Sequence, residues 1–403
     1  MIELNTIYEA HERIRGTVVK TPFAYAPRLS EQCGIEVYLK KENLQVTGAF
    51  KIRGAYNKIA TLSESERAQG VIAASAGNHA QGVAMAAQIF GIQALIVMPE
   101  STPLTKINGV RYYGAEVILA GSNYDEAYAY ASSYGQKHSM VFVHPFADEA
   151  VMAGQGTIAL EMIDSIKDLD AIIIPVGGGG LISGMASAIK ALAPHIRVIG
   201  VNAVGAPAMR ESYEAKTPID STAVRTIADG IAVRDTSPIT LGHILETVDE
   251  IVSVDDEEIA NAILFLLERQ KLVVEGAGAV GVAALLHDKL SHYRGKKVGT
   301  VLSGGNMDVT LLSIIIEKGL IKSGRKMKLT VTLVDKPGAL MHLTEMLQGL
   351  NANIVHIAYD RTSTTLAYGD ANVMIHLETK GQEHQQQIRT LLKEHRYLSS
   401  EEH

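Results

Sequence analysis

The chain has 403 residues, more than one ordinary core accommodates, with 47% hydrophobic and 20% charged residues; this excludes intrinsic disorder and points to an α/β protein of two or three domains. A net charge of −7 offers no basic face to neutralise a phosphate backbone, which excludes nucleic acid as a partner, and the single Cys33 excludes an internal disulfide or a cysteine metal cluster. No basic start leads into an apolar stretch and no apolar run reaches roughly 18 residues, so no membrane span is expected and a cytoplasmic protein is.

Residues 3–15 read as a helix with a polar face, and 36–40 as a strand delivering a loop over 40–54. In that loop a polar turn with Asn43, Thr47 and Gly48 leads to Phe50 and Lys51 at the mouth of a helix, so an amine emerges beside an aromatic face. A lysine held in a cleft and partly stripped of water loses its proton and condenses with an aldehyde, whereas a solvated one stays an ammonium. Most lysines are solvated, and this segment alone favours a surface lysine.

The spacing of Ile52, Ala55, Tyr56 and Ile59 predicts a helix over 51–62. A strand-and-helix pattern then repeats: strand 71–74 and helix 79–90, strand 94–98 with Pro103 opening a helix, strand 116–119 and helix 124–137. A second series runs through strand 171–176, helix 181–193, strand 198–201, helices 255–270 and 276–286, and strand 298–302. Short apolar strands alternating with helices predict two open, mostly parallel sheets flanking a cleft, with ligands beyond the carboxyl ends of the strands.

Three turns fall at those ends. Ser75, Ala76, Gly77, Asn78 and His79 open a helix with free N–H groups, which suits a carboxylate. Taken alone, Asn78 reads equally as a helix cap, and His79 as a structural histidine rather than an acid or base. Gly177, Gly178, Gly179 and Gly180 run into a helix at Leu181, and four residues without Cβ let the backbone curl its N–H groups around a phosphate. Neither the Walker loop nor the dinucleotide fingerprint fits this spacing. Ser303, Gly304, Gly305 and Asn306 make the third turn, with a hydroxyl at its start. An amine for an aldehyde, a nest for a carboxylate, a cradle for a phosphate and a hydroxyl together meet the needs of pyridoxal phosphate carrying an amino acid.

The order of these motifs, with Thr47 through Ala55 around the lysine, resembles the threonine/serine dehydratases, pyridoxal phosphate enzymes of the tryptophan synthase β-subunit fold; the match covers about residues 1–320. One departure is Ala49, where the family often has Ser before Phe-Lys. The resemblance implies that Lys51 tethers the cofactor and, once released, removes the substrate α-proton, and that Phe50 packs against the ring. It further implies that Asn78 meets the ring 3-oxygen, that Ser75, Ala76, Gly77, Asn78 and His79 hold the substrate carboxylate, that Gly177 to Gly180 with Leu181 cradle the phosphate, and that Ser303 with Gly304 meets the pyridine nitrogen. A neutral hydroxyl there does not keep the nitrogen protonated, which favours β-elimination over transamination. Glu275, in Val274-Glu275-Gly276-Ala277-Gly278, lies in a motif that recurs in the family and faces the cofactor; its plain reading is a carboxylate at a helix N-terminus.

The implied reaction converts L-threonine, and L-serine, to a 2-oxo acid and ammonia. Alternatives are a serine racemase, a hydroxyaspartate dehydratase, a β-replacing synthase and, in another class, a non-catalytic amino-acid sensor, against which the intact Lys51 argues. Serine racemases of this family carry a serine at the position of Ala76 and acidic ligands for a divalent cation after the strand matching 198–201. A methyl group shuttles no proton and residues 201–208 hold no carboxylate, so dehydration is expected and no divalent-metal site is, while a monovalent cation stays open.

The expected organisation is a catalytic region over 1–320 with a smaller subdomain at about 50–147, a polar linker over 321–327 and a C-terminal domain over 328–403. In the last, Leu329, Val331 and Leu333 alternate as a strand, 335–340 turns into an amphipathic helix through Leu350, 353–359 and 373–377 give further strands, and 383–394 a closing helix. This order resembles the ACT domain, a ferredoxin-like α+β module, which implies an amino-acid or nucleotide effector; the alternative is a pure oligomerisation domain. A small sheet has edges that pair, so a homo-oligomer, dimer or tetramer, is expected.

Overall fold

The computed structural model describes residues 1–401, and the chain divides into two compact units, Met1–Asp308 and Val309–His403. The first unit holds two sheets. In the larger, the strand order is Phe23–Tyr25, Glu36–Lys40, Lys297–Val301, Ala171–Pro175, Arg197–Ala203 and Glu250–Val254, and only the edge strand Phe23–Tyr25 runs antiparallel to its neighbour. The smaller is parallel throughout, in the order Glu116–Leu119, Ala94–Met98, Val71–Ala74 and Val141–Phe142. The two open, mostly parallel sheets are therefore present. Strands Val71–Ala74, Ala94–Met98 and Ala171–Pro175 are buried at every residue, which is why they read as unbroken apolar runs instead of alternating.

Helices stand at Leu4–Ile14, Lys51–Ala60, Asn78–Phe90, Tyr124–His138, Gly180–Leu192 and Gly276–Leu286, close to their expected places. The helix expected over 255–270 is regular only over Asp256–Phe265; it loosens into a π-turn over Leu266–Gln270 and ends at Lys271, which has φ 59°.

Several helices have no counterpart in the sequence reading, among them Pro27–Cys33, Glu64–Gln69, Ala208–Ala215, Pro238–Thr247 and Val309–Lys322, and the one that matters most to the site is Glu149–Ser165. Glu149–Ser165 is buried without a break from Val151 to Met162, so it lacks the one-sided apolar stripe by which helices are recognised. Glycines let this helix and its neighbours approach backbone to backbone: a Cβ at its Gly154 would stand 2.5 Å from the Arg53 carbonyl oxygen, and one at Gly184 of the facing helix Gly180–Leu192 would stand 2.0 Å from that of Met152. The helix thus lies between Lys51–Ala60 on one side and Gly180–Leu192 on the other, and sets the distance between the lysine and the glycine loop.

Charged residues flanking the polar turn of the 40–54 loop are buried, although Leu44 and Val46 within the turn are exposed. Lys40, Glu42 and Arg53 are 0% exposed, and Glu161 of the central helix is 5% exposed. Arg53 grips both carboxylates: Nη2 donates to Glu42 Oε1 at 2.8 Å, and Nη1 to Glu161 Oε1 at 2.7 Å and to Thr157 Oγ1 at 3.2 Å. Lys40 Nζ donates to the Thr21 carbonyl at 2.7 Å and pairs with Glu161. Burial alone would raise the Glu42 carboxyl, yet Arg53 and Lys40 hold it below the ordinary carboxylate range. Two cations and two carboxylates balance here, and that makes the burial tolerable.

In the second unit the helix Val309–Lys322 precedes strand Lys326–Val334, helix Ala339–Gly349, strands Asn353–Asp360 and Asp370–Glu378, helix Gln382–Glu394 and strand Leu398–Glu401. The linker expected over 321–327 is not a separate segment. The first helix runs to Lys322, Gly324 turns with φ 69°, and the strand begins at Lys326. The βαββαβ order, with an antiparallel sheet in the order Asn353–Asp360, Asp370–Glu378, Lys326–Val334, Leu398–Glu401, is the ferredoxin-like arrangement, and its last strand adds to the three read from the sequence. Leu329, Val331, Val373 and Ile375 face Leu343, Leu347, Ile388 and Leu392 in its core. Among the described residues no helix is long and apolar enough to cross a membrane, and no group of three or more His, Cys, Asp and Glu is placed to hold a metal.

Candidate active site

Four loops of the first unit lie at carboxyl ends of parallel strands: the lysine loop after Glu36–Lys40, the 75–79 turn after Val71–Ala74, the glycine loop after Ala171–Pro175 and the Ser303 turn after Lys297–Val301. The lysine loop and the Ser303 turn are stitched together. Ala49 pairs with Gly304 in an antiparallel bridge, Phe50 N donates to the Ser303 carbonyl at 3.0 Å, and Gly305 N to that of Gly48 at 2.8 Å. Ser303 is 2% exposed and thereby held beside the start of the Lys51 helix.

Lys51 Nζ donates to the Pro145 carbonyl at 2.8 Å and stands 5.2 Å from the centre of the Phe50 ring. Loss of water in the cleft brings its pKa down to about 8, opposed by the negative charge of Glu275. Glu275 is pushed up to about 7 by its own burial, against the hydrogen bond from Asn78 and the nearby Lys106 and Lys51. Amine and acid are both driven toward their neutral forms.

Asn78 does not cap its helix; the cap position is Gly77, without a side-chain bond. Its Nδ2 donates instead to Glu275 Oε1 at 2.7 Å, and its Oδ1 accepts from Asn306 Nδ2 at 2.7 Å. Asn306 Nδ2 also donates to the Thr47 carbonyl at 2.9 Å. Glu275 likewise leaves its helix uncapped, so the carboxyl is spent on the site and not on the helix start. His79 is 3% exposed with Nε2 at 2.8 Å from the Val143 carbonyl, and burial together with the Lys51 charge lowers it to about 3. Its neutral ring is turned into the protein, leaving the backbone of the 75–79 turn toward the cleft.

At the glycine loop, a Cβ on Gly177 would stand 2.7 Å from Ile231 Cα, one on Gly178 2.4 Å from the Phe146 ring, and one on Gly180 2.7 Å from Phe146 Cα. Gly179 has φ 87° and caps the helix Gly180–Leu192, again without a side-chain bond, so the first N–H groups of that helix are open to an anion. Leu181 is 6% exposed in the same first turn. Lysine and glycine loop are joined through consecutive residues, since Pro145 holds Lys51 and Phe146 packs on Gly178 and Gly180. His144 caps that link: its Nδ1 accepts from Phe146 N at 3.2 Å and Ala147 N at 2.8 Å, and burial and Lys51 lower its pKa to about 4.

Sequence reasoning therefore reached Lys51, Phe50, Asn78, Glu275, Ser303 and Gly304, which meet here, but missed His144, Pro145 and Phe146. No signal in the sequence pointed to them, because a carbonyl acceptor leaves no trace in residue type and the helix that follows was not read from the sequence. The donor set suits a ligand with an aldehyde and a phosphate: a partly neutral amine, an uncapped helix start over bare backbone, and a serine hydroxyl.

The family described as pyridoxal-phosphate dependent enzyme matches residues 14–304. Over 392 residues the chain is 51% identical to an L-threonine ammonia-lyase of Thermotoga maritima, covering 97% of each. It is 48% identical over 388 residues to one of Geobacter sulfurreducens, covering 96% of each. Among solved structures, the processed form of threonine deaminase isoform 2 from Solanum lycopersicum superposes with a TM-score of 0.75 at 37% identity, covering 78% of this chain and 92% of that one. Maize serine racemase also reaches 0.75, at 34% identity over 79% of this chain and 98% of its own. From a family match spanning the whole lysine-to-serine constellation, and from identity that runs almost end to end, it follows that the chain belongs to the pyridoxal-phosphate dependent enzymes.

Proposed function

We propose that this protein dehydrates and deaminates L-threonine, and L-serine as a second substrate, to the 2-oxo acid and ammonia. The observation that carries the reading is the near full-length similarity to two L-threonine ammonia-lyases. When bound, pyridoxal phosphate supplies an aldehyde that captures the substrate amine and a ring that draws electrons from its α-carbon. Lys51 Nζ, titrating at about 8, is unprotonated in a useful fraction near neutral pH and takes the α-proton. The N–H groups of Ser75 to His79 would orient the carboxylate, those of Gly177 to Gly180 and Leu181 would hold the phosphate, and Asn78 would meet the ring oxygen. Phe50 would pack beside the ring, Gly304 would admit it, and the Ser303 hydroxyl would meet the ring nitrogen as a neutral partner, which would favour loss of the β-hydroxyl. Glu275 offsets the charge of the Lys51 amine.

A second reading, racemisation, is favoured by the likeness to maize serine racemase; the methyl of Ala76, with no proton to exchange, speaks against it. We read the Val309–His403 unit as an ACT domain, supported by its βαββαβ order, with an amino-acid or nucleotide effector and a cytoplasmic homo-oligomer as the working form. Val355, Ile357 and Tyr359, exposed on the edge strand Asn353–Asp360, support pairing between copies.

The test is direct. The purified protein should show an absorbance band near the blue edge of the visible and release 2-oxo acid from both L-amino acids, and Lys51→Ala should abolish band and turnover together. Retained turnover in K51A, or D-serine formed as fast as pyruvate, would reject this reading.

A further inference from the structure

We propose that Asn306 is a positioning residue that fixes which way round the Asn78 amide faces, through a one-directional relay from Asn306 to Asn78 to Glu275. A carboxamide has two N–H donors on Nδ2 and an acceptor on Oδ1, and its orientation follows from its partners alone. Both donors of Asn306 are taken by acceptors, the Thr47 carbonyl at 2.9 Å and Asn78 Oδ1 at 2.7 Å. A flipped Asn306 would bring its oxygen against the Thr47 carbonyl, which cannot donate, so only one orientation is tenable. Asn78 is then committed as well. Its carbonyl is used by Asn306, one N–H goes to Glu275 Oε1 at 2.7 Å, and the second N–H is left for a ligand oxygen in the cleft.

Glu275 could not impose this order by itself. Its carboxyl changes protonation at about 7, so it would accept from Asn78 at higher pH and donate to it at lower pH. The groups that bear on it are Asn78, Asp229 of the turn Asp229–Ile231, Lys106 of the helix Leu104–Arg111, and Lys51. Neither Asp229 nor Lys106 nor Lys51 is hydrogen-bonded to the Asn78 amide, whose partners are Glu275 and Asn306. Asn306 imposes the order, from outside the carboxyl. The loop opposite is shaped for it: Gly48 has φ 71°, and a Cβ there would stand 2.5 Å from Asn306 Oδ1. Asn306 is itself exposed, so replacing it does not empty a core.

The proposal rests on the functional reading above only where a loaded cofactor is measured, and its test has an arm that needs none. The full-length chain carrying 15N-asparagine is freed of cofactor, and the Asn78 side-chain resonances are followed through the Glu275 titration. In the parent they remain those of a donor to Glu275 at both ends of the titration. Asn306→Asp keeps the shape but has no donor, so it draws Asn78 Nδ2 to itself and the Asn78 response to Glu275 should fall about fivefold or more, the scale of losing one charge-assisted hydrogen bond. Asn306→Ala leaves Asn78 free to reverse with pH, giving a smaller loss.

In the loaded enzyme N306D should lower kcat about tenfold or more with KM nearly unchanged, and move the pH at which the bound-cofactor absorbance changes, with N306A intermediate. An Asn78 response in N306D like that of the parent, or N306D and N306A indistinguishable in both arms as a mere tie between loops would be, overturns the relay. A parent that never binds pyridoxal phosphate would overturn the functional reading instead, and the cofactor-free arm still decides the relay.

Discussion

Glu275 and Lys51 carry opposite linkage, and the two signs separate on a pH axis. The Glu275 carboxyl is raised from 4.5 to about 7 in the folded chain, so between those values the folded state binds more protons than the unfolded one. Its contribution to stability is present below pH 4.5, falls as pH rises, and is lost above about 7. Lys51 is lowered from 10.5 to about 8, so its penalty is full below about 8 and is relieved as pH rises toward 10.5. Glu275→Gln in the cofactor-free chain should therefore be more stable than the parent at pH 8 and no more stable at pH 4, read from urea midpoints. An equal gain at both would show that the carboxyl is not raised. Residues whose chemistry lies in the side chain, or in its absence at Gly177 to Gly180, were legible from sequence. The Pro145 carbonyl was not, since every residue carries one and only the path of the chain brings this one to 2.8 Å from Lys51 Nζ.

Among elements, the helix Glu149–Ser165 decides most, because both halves of the site lean on it. Its Glu161 closes a four-charge cluster with Lys40, Glu42 and Arg53 that ties the lysine loop to that helix. Arg53→Met leaves two buried carboxylates facing one lysine, and removing one partner of such a cluster costs about 3–5 kcal/mol. A matching fall in the unfolding free energy of the cofactor-free chain is expected. Breaking the exposed pair Arg234–Asp125, at 2.9 Å, by Arg234→Ala should cost less than about 1 kcal/mol, since solvent already screens it. Helices such as Asn78–Phe90 and Gly276–Leu286 were legible near their true bounds, whereas Glu149–Ser165 was not. Periodicity reports a boundary between core and water, and a helix buried on all sides has none.

At the scale of the whole molecule, every residue assigned to the site lies within Met1–Asp308. A chain ending at Asp308 should keep L-threonine turnover and lose any response to added amino acids or nucleotides. Steady-state assays of both forms, with and without isoleucine and valine, check this; turnover lost with cofactor still bound would show that the second unit is needed for catalysis. The division at Asp308 falls before the polar stretch that the composition marks, because Val309–Lys322 is an apolar helix that packs on strand Lys326–Val334. Composition signals solvent-exposed sequence, and a unit boundary need not coincide with it.

The amino-acid sequence by itself determined the alternation of strand and helix, the turns at strand ends, and the residue types that suit an amine, a phosphate and a carboxylate. These depend on local backbone freedom and on side-chain chemistry, which sequence neighbours set. Only the tertiary structure decided that Lys40, Glu42 and Arg53 are core and not surface, that Asn78 serves Glu275 and not its own helix, and that Pro145 and Phe146 join the lysine to the glycine loop. Those outcomes depend on the field and packing of segments far apart in the chain. A hydrogen bond from Asn306 to Asn78, 228 positions apart, becomes visible only once the sheets have brought their carboxyl ends together.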